Sequence, residues 1–249
     1  MKPADLSSAG MLGQYSPLDG TVEFYGRVNA FLQPHHVVAD FGAGRGAWYF
    51  ADGSPYGRSL RLIKGKVARV IGLDVDDAVL SNPTTDENVL ININGRGWPL
   101  PDESVDVVIA DYVLEHVDDP AAVEREAFRI LRPGGLFCAR TPHSMNYVSL
   151  AARMFRGAAH GHVLSALQPS RQSIDVFDKT YRCNTLREIR RTWAADKWMS
   201  YTYLYTAEPS YHADSRLLYR VFRALHNILP ASLVGNIFVF EIKRDSSSR

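Results

Sequence analysis

Short runs of β-branched and apolar residues alternate along the chain with stretches whose apolar positions recur every three or four residues. That alternation predicts an α/β fold, a doubly wound sheet with helices on both faces. Strands are expected near 37–41, 69–73, 88–93, 105–110 and 135–140. After the fourth, Asp119-Pro120 marks a helix start, since the aspartate can cap free N–H groups and proline fits the first helical position. Val123, Ala127, Ile130 and Leu131 then share one face, with Glu124, Arg125 and Glu126 expected to point outward and Pro133-Gly134 to end the helix. Beyond residue 145 the pattern loosens, and a helix is expected from Asn184-Thr185 to near Ala195. Strand-like stretches at 197–206 and 236–243 flank a helical stripe of Leu217, Leu218, Val221, Phe222, Leu225, Ile228 and Leu229, and the two strands should complete a seven-stranded sheet.

The chain divides, on this reading, into a helical cover over 1–36 (with Tyr15, Phe24, Tyr25 and Phe31), a core over 37–145, and an insertion and helix over 146–196 roofing a pocket. Residues 197–244 carry the closing strands, and 245–249 form a tail expected to be disordered. Arg216, Arg220 and Arg223 lie opposite the late apolar stripe and read as a solvated face, with a basic amphipathic surface touching anionic lipid or a partner as the alternative; Arg58, Arg61, Lys64, Lys66 and Arg69 read as a surface loop.

Composition narrows the function. The 249 residues carry 28 Lys+Arg against 27 Asp+Glu, a net charge of +1, which disfavours a nucleic-acid substrate and favours a small molecule. Two cysteines, Cys138 and Cys183, offer neither a disulfide framework nor a metal cluster, so a reducing cytoplasm is expected. His160 and His162 form a His-x-His pair without acidic or cysteine partners nearby, so no metal site is expected. The first residues lack a signal-peptide core and no apolar run is long enough to span a bilayer, so the protein is expected to be soluble, without stable membrane insertion. Its oligomeric state is not readable from the sequence.

The chemistry concentrates in Asp40-Phe41-Gly42-Ala43-Gly44-Arg45-Gly46, directly after the apolar run Val37-Val38-Ala39. Alternate glycines let the backbone turn sharply and approach a ligand, and a helix starting near Gly46 would offer free N–H groups to a carboxylate or phosphate. Gly42-x-Gly44-x-x-Ala47 also satisfies the dinucleotide fingerprint, which keeps an NAD(P)-dependent oxidoreductase as an alternative. Asp40 weighs against it, because a carboxylate there would repel a pyrophosphate.

Asp40 and the glycines, together with Leu131-Arg132-Pro133-Gly134-Gly135 and the run from Trp98-Pro99-Leu100-Pro101-Asp102 to Glu115-His116-Val117, resemble the class I S-adenosylmethionine-dependent methyltransferases, in their small-molecule branch (methyltransferase type 11-like). The resemblance covers roughly residues 21–145. It implies a Rossmann-like sheet, mostly parallel with an antiparallel last strand, and binding of S-adenosylmethionine, with S-adenosylhomocysteine as product. Asp40, Gly42, Ala43 and Gly44 would surround the methionine end. Asp74, closing the second strand, would accept both ribose hydroxyls, and Val75 would lie on the adenine. Asn94 and Gly95 stand where many relatives bind the adenine amino group; an asparagine can accept that bond only without charge. Asp111 and Tyr112, at the carboxyl end of the fourth strand, would face the sulfonium.

For catalysis, His143 is the first candidate base, His116 the second, with ordering of a loop as its equal alternative, and His160 the third. Tyr181 and Arg182 read either as a substrate contact or as a brace for the roof, and Arg27 could reach the cofactor carboxylate. The implied reaction is O-methylation of a small metabolite or sugar-containing acceptor. A non-catalytic S-adenosylmethionine-binding homologue remains the other alternative.

Overall fold

A computed structural model describes residues 15–16, 18–51, 54–91, 97–147, 180–206, 208–209 and 215–245. In chain order the elements are α1 (Gly20–Phe31), β1 (Val37–Phe41), α2 (Pro55–Arg61), β2 (Arg69–Asp74), β3 (Glu87–Leu90), β4 (Val105–Asp111), α3 (Pro120–Ile130), β5 (Leu131–Pro142), α4 (Leu186–Thr192), β6 (Trp198–Ser200), β7 (Tyr203–Tyr205), α5 (Arg216–Ile228), α6 (Ala231–Val234) and β8 (Asn236–Lys243).

One sheet runs in the order β3-β2-β1-β4-β5-β8-β6, with β7 also paired to β8. The first five strands are mutually parallel, and β8 is antiparallel to β5, β6 and β7. The sheet therefore has eight strands where seven are expected, because 197–206 is broken in two. At the break the Tyr201 N–H donates to the Phe240 carbonyl, while the Phe240 N–H donates to the Thr202 side-chain oxygen at 3.3 Å. A hydroxyl thus replaces one rung of the ladder and splits the edge.

Strand periodicity sorts the core into two layers. Val38, Val70, Val107, Ile109 and Cys138 face α1, where they meet Phe24, Tyr25 and Val28. Ala39, Ile71, Val108, Phe137 and Ala139 face the opposite way, onto Val123, Ala127 and Ile130 of α3 and Ile189 and Trp193 of the α4 region. The helix starts follow local chemistry. Asp19 accepts from Thr21 and Val22 N–H, Asp119 from Ala122 N–H with Pro120 following it, and Thr185 from Glu188 N–H. Glu124 departs from its expected exposure. It is buried and accepts the Trp198 indole N–H at 2.8 Å, because a buried indole needs a partner.

The two sequence signatures outside the glycine loop are structural. Gly135 lies where a Cβ would come within 2.8 Å of the Arg132 carbonyl, and Arg132 pairs with Asp106, which also accepts the Val37 N–H. In the Trp98 run, Arg129 donates to the carbonyls of Trp98 and Leu100, and Glu126 accepts the Trp98 N–H.

Candidate active site

Strand order reverses between β1 and β4, and ligands of open parallel sheets bind at the carboxyl ends of strands beside such a switch. β1 ends in Asp40-Phe41 and passes into Gly42, Gly44 and Gly46, all with left-handed φ of +76°, +51° and +68°. A Cβ on Gly42 would sit 2.3 Å from Val113 Cγ2, whereas one on Gly44 would meet nothing within 4 Å. The loop is thus packed at Gly42 and open at Gly44.

Loop and β2 are tied together. The Gly42 and Ala43 N–H groups donate to the Leu73 carbonyl, and the Gly44 N–H donates to Asp74 Oδ2 at 2.8 Å. Asp74 Oδ1 accepts the Asp76 N–H at 3.0 Å. Each Asp74 oxygen keeps a further lone pair, as a ribose diol would need. Val75 follows, 38% exposed. Asn82, missed by sequence reading, donates from Nδ2 to the Ala43 and Gly44 carbonyls at 3.0 and 2.9 Å, so the loop is held from the β2–β3 connection. The long helix expected from Gly46 is one 3-10 turn, Ala47–Tyr49, with no side-chain cap, and α2 starts only at Pro55. The extended helix N-terminus that a pyrophosphate uses in dinucleotide folds is absent from the described residues.

Two aspartates end the adjacent strands. Asp111, on β4, is gripped by Arg140 through two nitrogens, by Arg61 Nη2 at 2.8 Å and by the Tyr25 hydroxyl at 2.9 Å. These donors outweigh its burial and hold its pKa down at about 2. Arg61, expected on a surface loop, instead lies 4.5 Å over the Trp48 ring, with its Nε buried and unpartnered. Asp40, on β1, receives no hydrogen bond among the described residues. Burial pushes its pKa up to about 7, with Asp111 and Asp74 adding to the rise and Arg61 opposing it.

On the β4–β5 side, Tyr112 has a left-handed φ of +59°, and its hydroxyl accepts from Asn236 Nδ2 at 3.1 Å. Strain of this kind in a non-glycine residue clusters at functional sites. Glu115 is buried, accepts the Thr141 hydroxyl at 2.9 Å, and its carbonyl receives the N–H groups of Thr180 and Tyr181. Thr141 in turn accepts from Asn184, so Glu115 fixes the return of the chain to the sheet. His116 is half-buried and closes the single 3-10 turn Leu114–His116 that follows β4. His143 is buried; its Nδ1 accepts the Met145 N–H at 3.1 Å, and the ring also hydrogen-bonds the Ser232 backbone. Desolvation lowers its pKa, keeping it neutral.

The remaining candidate residues lie away from these groups or outside the described residues. Arg27 pairs with Glu23 one turn away and stacks on Tyr203. Arg182 is exposed, 3.7 Å from Asp118, as a brace would be. His160, His162, Asn94 and Gly95 lie outside the described residues. Among the described residues no group of three or more His, Cys, Asp or Glu could hold a metal ion. A concavity of about 370 Å³ bounded by Pro133, Gly134, Met199 and Lys243 opens at the amino-terminal end of β5, away from these residues.

The groups present suit a zwitterionic nucleoside. A half-buried carboxylate without a donor, an arginine with an orphaned Nε, and open space above Gly44 would meet an ammonium, a carboxylate and a ligand backbone. A pyrophosphate would meet Asp40 and Asp74 instead.

Comparison with known proteins agrees. Residues 52–139 match the family model of a methyltransferase domain. A Mycolicibacterium smegmatis protein described as a probable S-adenosylmethionine-dependent methyltransferase is 37% identical over 142 residues, covering 53% of each chain. A Mycobacterium tuberculosis protein of the same description is 34% identical over 107 residues, 42% of this chain and 36% of that one. The chain thus spans about half or less of these curated relatives. Among solved structures, a chain of the complex between the Haloferax volcanii Trm112 methyltransferase activator and a putative methyltransferase aligns with a TM-score of 0.59 at 18% identity, covering 90% of both chains. Geranyl diphosphate methyltransferase in complex with S-adenosylmethionine aligns at 0.54 and 15% identity, covering 90% of this chain and 84% of its own. These two likenesses are of fold.

Proposed function

We propose that this chain, which carries a methyltransferase domain of the class I fold and is a homologue of proteins named S-adenosylmethionine-dependent methyltransferases, methylates a hydroxyl of a small metabolite or sugar-containing acceptor. The observation that carries the reading is the pairing of Asp40, a carboxylate without a donor, with Asp74, a carboxylate anchored by the glycine loop. Asp40 would take the ammonium of the methionine moiety, Arg61 its carboxylate and Asp74 the ribose diol, with Val75 on one adenine face.

S-adenosylmethionine supplies, when bound, a methyl group activated by its sulfonium. The chain's own work is then alignment of the acceptor and exclusion of water. A hydroxyl must lose its proton as its bond to carbon forms, so a neutral histidine near the acceptor would matter. His116 and His143 are the candidates among the described residues. For His143 to accept a proton at Nδ1, the bond from Met145 must open, which favours His143 as the group that orders the 143–146 turn and keeps His116 as the other candidate base. The setting we infer is a reducing cytoplasm, with Cys138 and Cys183 as free thiols. The acceptor is taken to be a small molecule and not a nucleic acid.

Calorimetric titration with S-adenosylmethionine and S-adenosylhomocysteine, with NAD and NADP as controls, tests the cofactor. Micromolar binding of the first pair, lost in Asp74→Ala, is expected; binding of NAD, or of nothing, removes the reading. Binding without turnover across a panel of hydroxylated acceptors would instead favour a non-catalytic binder.

A further inference from the structure

Helix α5 is attached to the domain by one flank. Phe222 stacks on Tyr147 with ring centroids 5.7 Å apart and planes 10° from parallel, His226 is buried against the same ring, and the Tyr219 hydroxyl donates to Glu208. Another face carries Leu217, Leu218, Val221, Leu225 and Ile228, which at 100° per residue fall within an arc of about 100°. All five are exposed, Leu217 by 71% and Ile228 by 79%. A contiguous apolar stripe of this kind on a surface marks an interaction site.

Charge selects the occupant. The helix carries Arg216, Arg220 and Arg223 and no acid. The stretch 215–235 holds three arginines and no acidic residue. A second copy of α5 laid on the stripe would bring arginine to arginine. An anionic surface would not. The helix also lies at the carboxyl end of β5, where the Gly235 carbonyl, just before β8, accepts from Asn146 Nδ2 at 2.9 Å; this is the end of the sheet that holds the glycine loop.

We propose that α5 docks the protein peripherally on an anionic phospholipid bilayer, its apolar stripe at the acyl boundary and its exposed Arg220 among the headgroups, with the carboxyl end of the sheet turned toward the membrane. A high amphipathicity with a cationic polar side is the pattern of helices that lie in the interface without crossing it. Among the described residues no helix is long and apolar enough to cross.

Flotation of the full chain with vesicles of phosphatidylcholine alone, and of phosphatidylcholine with phosphatidylglycerol, tests this without reference to methyl transfer. Co-flotation is expected only with the anionic vesicles, and weaker at high salt. Leu217→Gln with Ile228→Gln should lower partitioning by roughly tenfold or more, and Arg220→Gln by about fivefold. The changed side chains are exposed, so an unchanged thermal melt should accompany both results. Absence of flotation with anionic vesicles overturns the proposal, as does flotation indifferent to the double variant. Sedimentation velocity showing a dimer that the double variant dissociates, without vesicle binding, would make the stripe a contact between copies.

Discussion

Asp40 and Asp111 end neighbouring strands of one sheet and carry the same side chain, yet they are held in opposite states. Asp111 has two arginines and a tyrosine hydroxyl around it and is an anion down to about pH 2; Asp40 has no donor and titrates near 7. Burial pushes both carboxyls up, so the difference lies in the partners. One aspartate is spent on the architecture that joins α1, α2, β4 and β5. The other has no such donor, as the ammonium-binding role proposed for it requires.

The strongest way to break the contrast is to strip Asp111 of its partner. Arg140→Met should cost about 3–5 kcal/mol in urea denaturation, because it leaves a buried charge without its main donor. A loss under about 1 kcal/mol would mean that the cluster is solvated and that the contrast is not one of pairing. Next in size is the loop beside Asp40. Gly42→Ala combines a left-handed φ with a Cβ 2.3 Å from Val113 Cγ2, and should cost about 2–4 kcal/mol. Val113→Ala in the same chain should recover the part due to overlap and leave the part due to φ; no recovery would show that Val113 is not the obstacle.

The pH dependence sharpens the comparison. An ammonium binds the ionised form of Asp40, so affinity for S-adenosylmethionine should rise with pH, by up to about tenfold per unit below the pKa, and level above about 7. Asp40→Asn should flatten that profile; an unchanged slope would assign the proton to another group. Stability has the opposite sign. Asp40 has a folded pKa above its unfolded value of about 3.9, so its burial destabilises the fold increasingly as pH climbs from about 4 to about 7 and constantly thereafter. Asp111, with a depressed pKa, contributes stability above its unfolded value that is lost only as pH falls toward about 2. The melting temperature of Asp40→Asn should therefore gain on the parent across pH 4–7. The smallest effect is expected at His143. If it orders its turn, His143→Gln should leave kcat near that of the parent, whereas loss of a base costs about 10²–10⁴-fold; a drop of that size in His143→Gln and none in His116→Ala would reverse the two roles.

What was legible in the sequence followed short-range rules. The run Val37-Val38-Ala39, the glycines after it and the capped start at Asp119-Pro120 each act within a few residues, and the structure forms a strand, a left-handed loop and a helix there. Arg61 reads with its cationic neighbours as surface, because nothing in Arg58–Arg69 tells one arginine from another. Its partner, Asp111, lies fifty residues away on a different strand. Glu124 departs from its helical pattern for the same reason, since its partner is the distant Trp198. The split edge strand turned on a single hydroxyl, Thr202, which periodicity does not register.

The sequence by itself determined the alternation of strands and helices, the position of the glycine loop and the aspartate closing β2, because strand periodicity, glycine's access to positive φ and helix capping act locally. Only the tertiary structure decided which aspartate is neutralised and which stands open, that Asn82 clamps the loop, and that the apolar face of α5 turns away from the core. Those outcomes depend on which distant side chains the sheet order brings within hydrogen-bonding range, and on the burial that makes each pairing, or its absence, count.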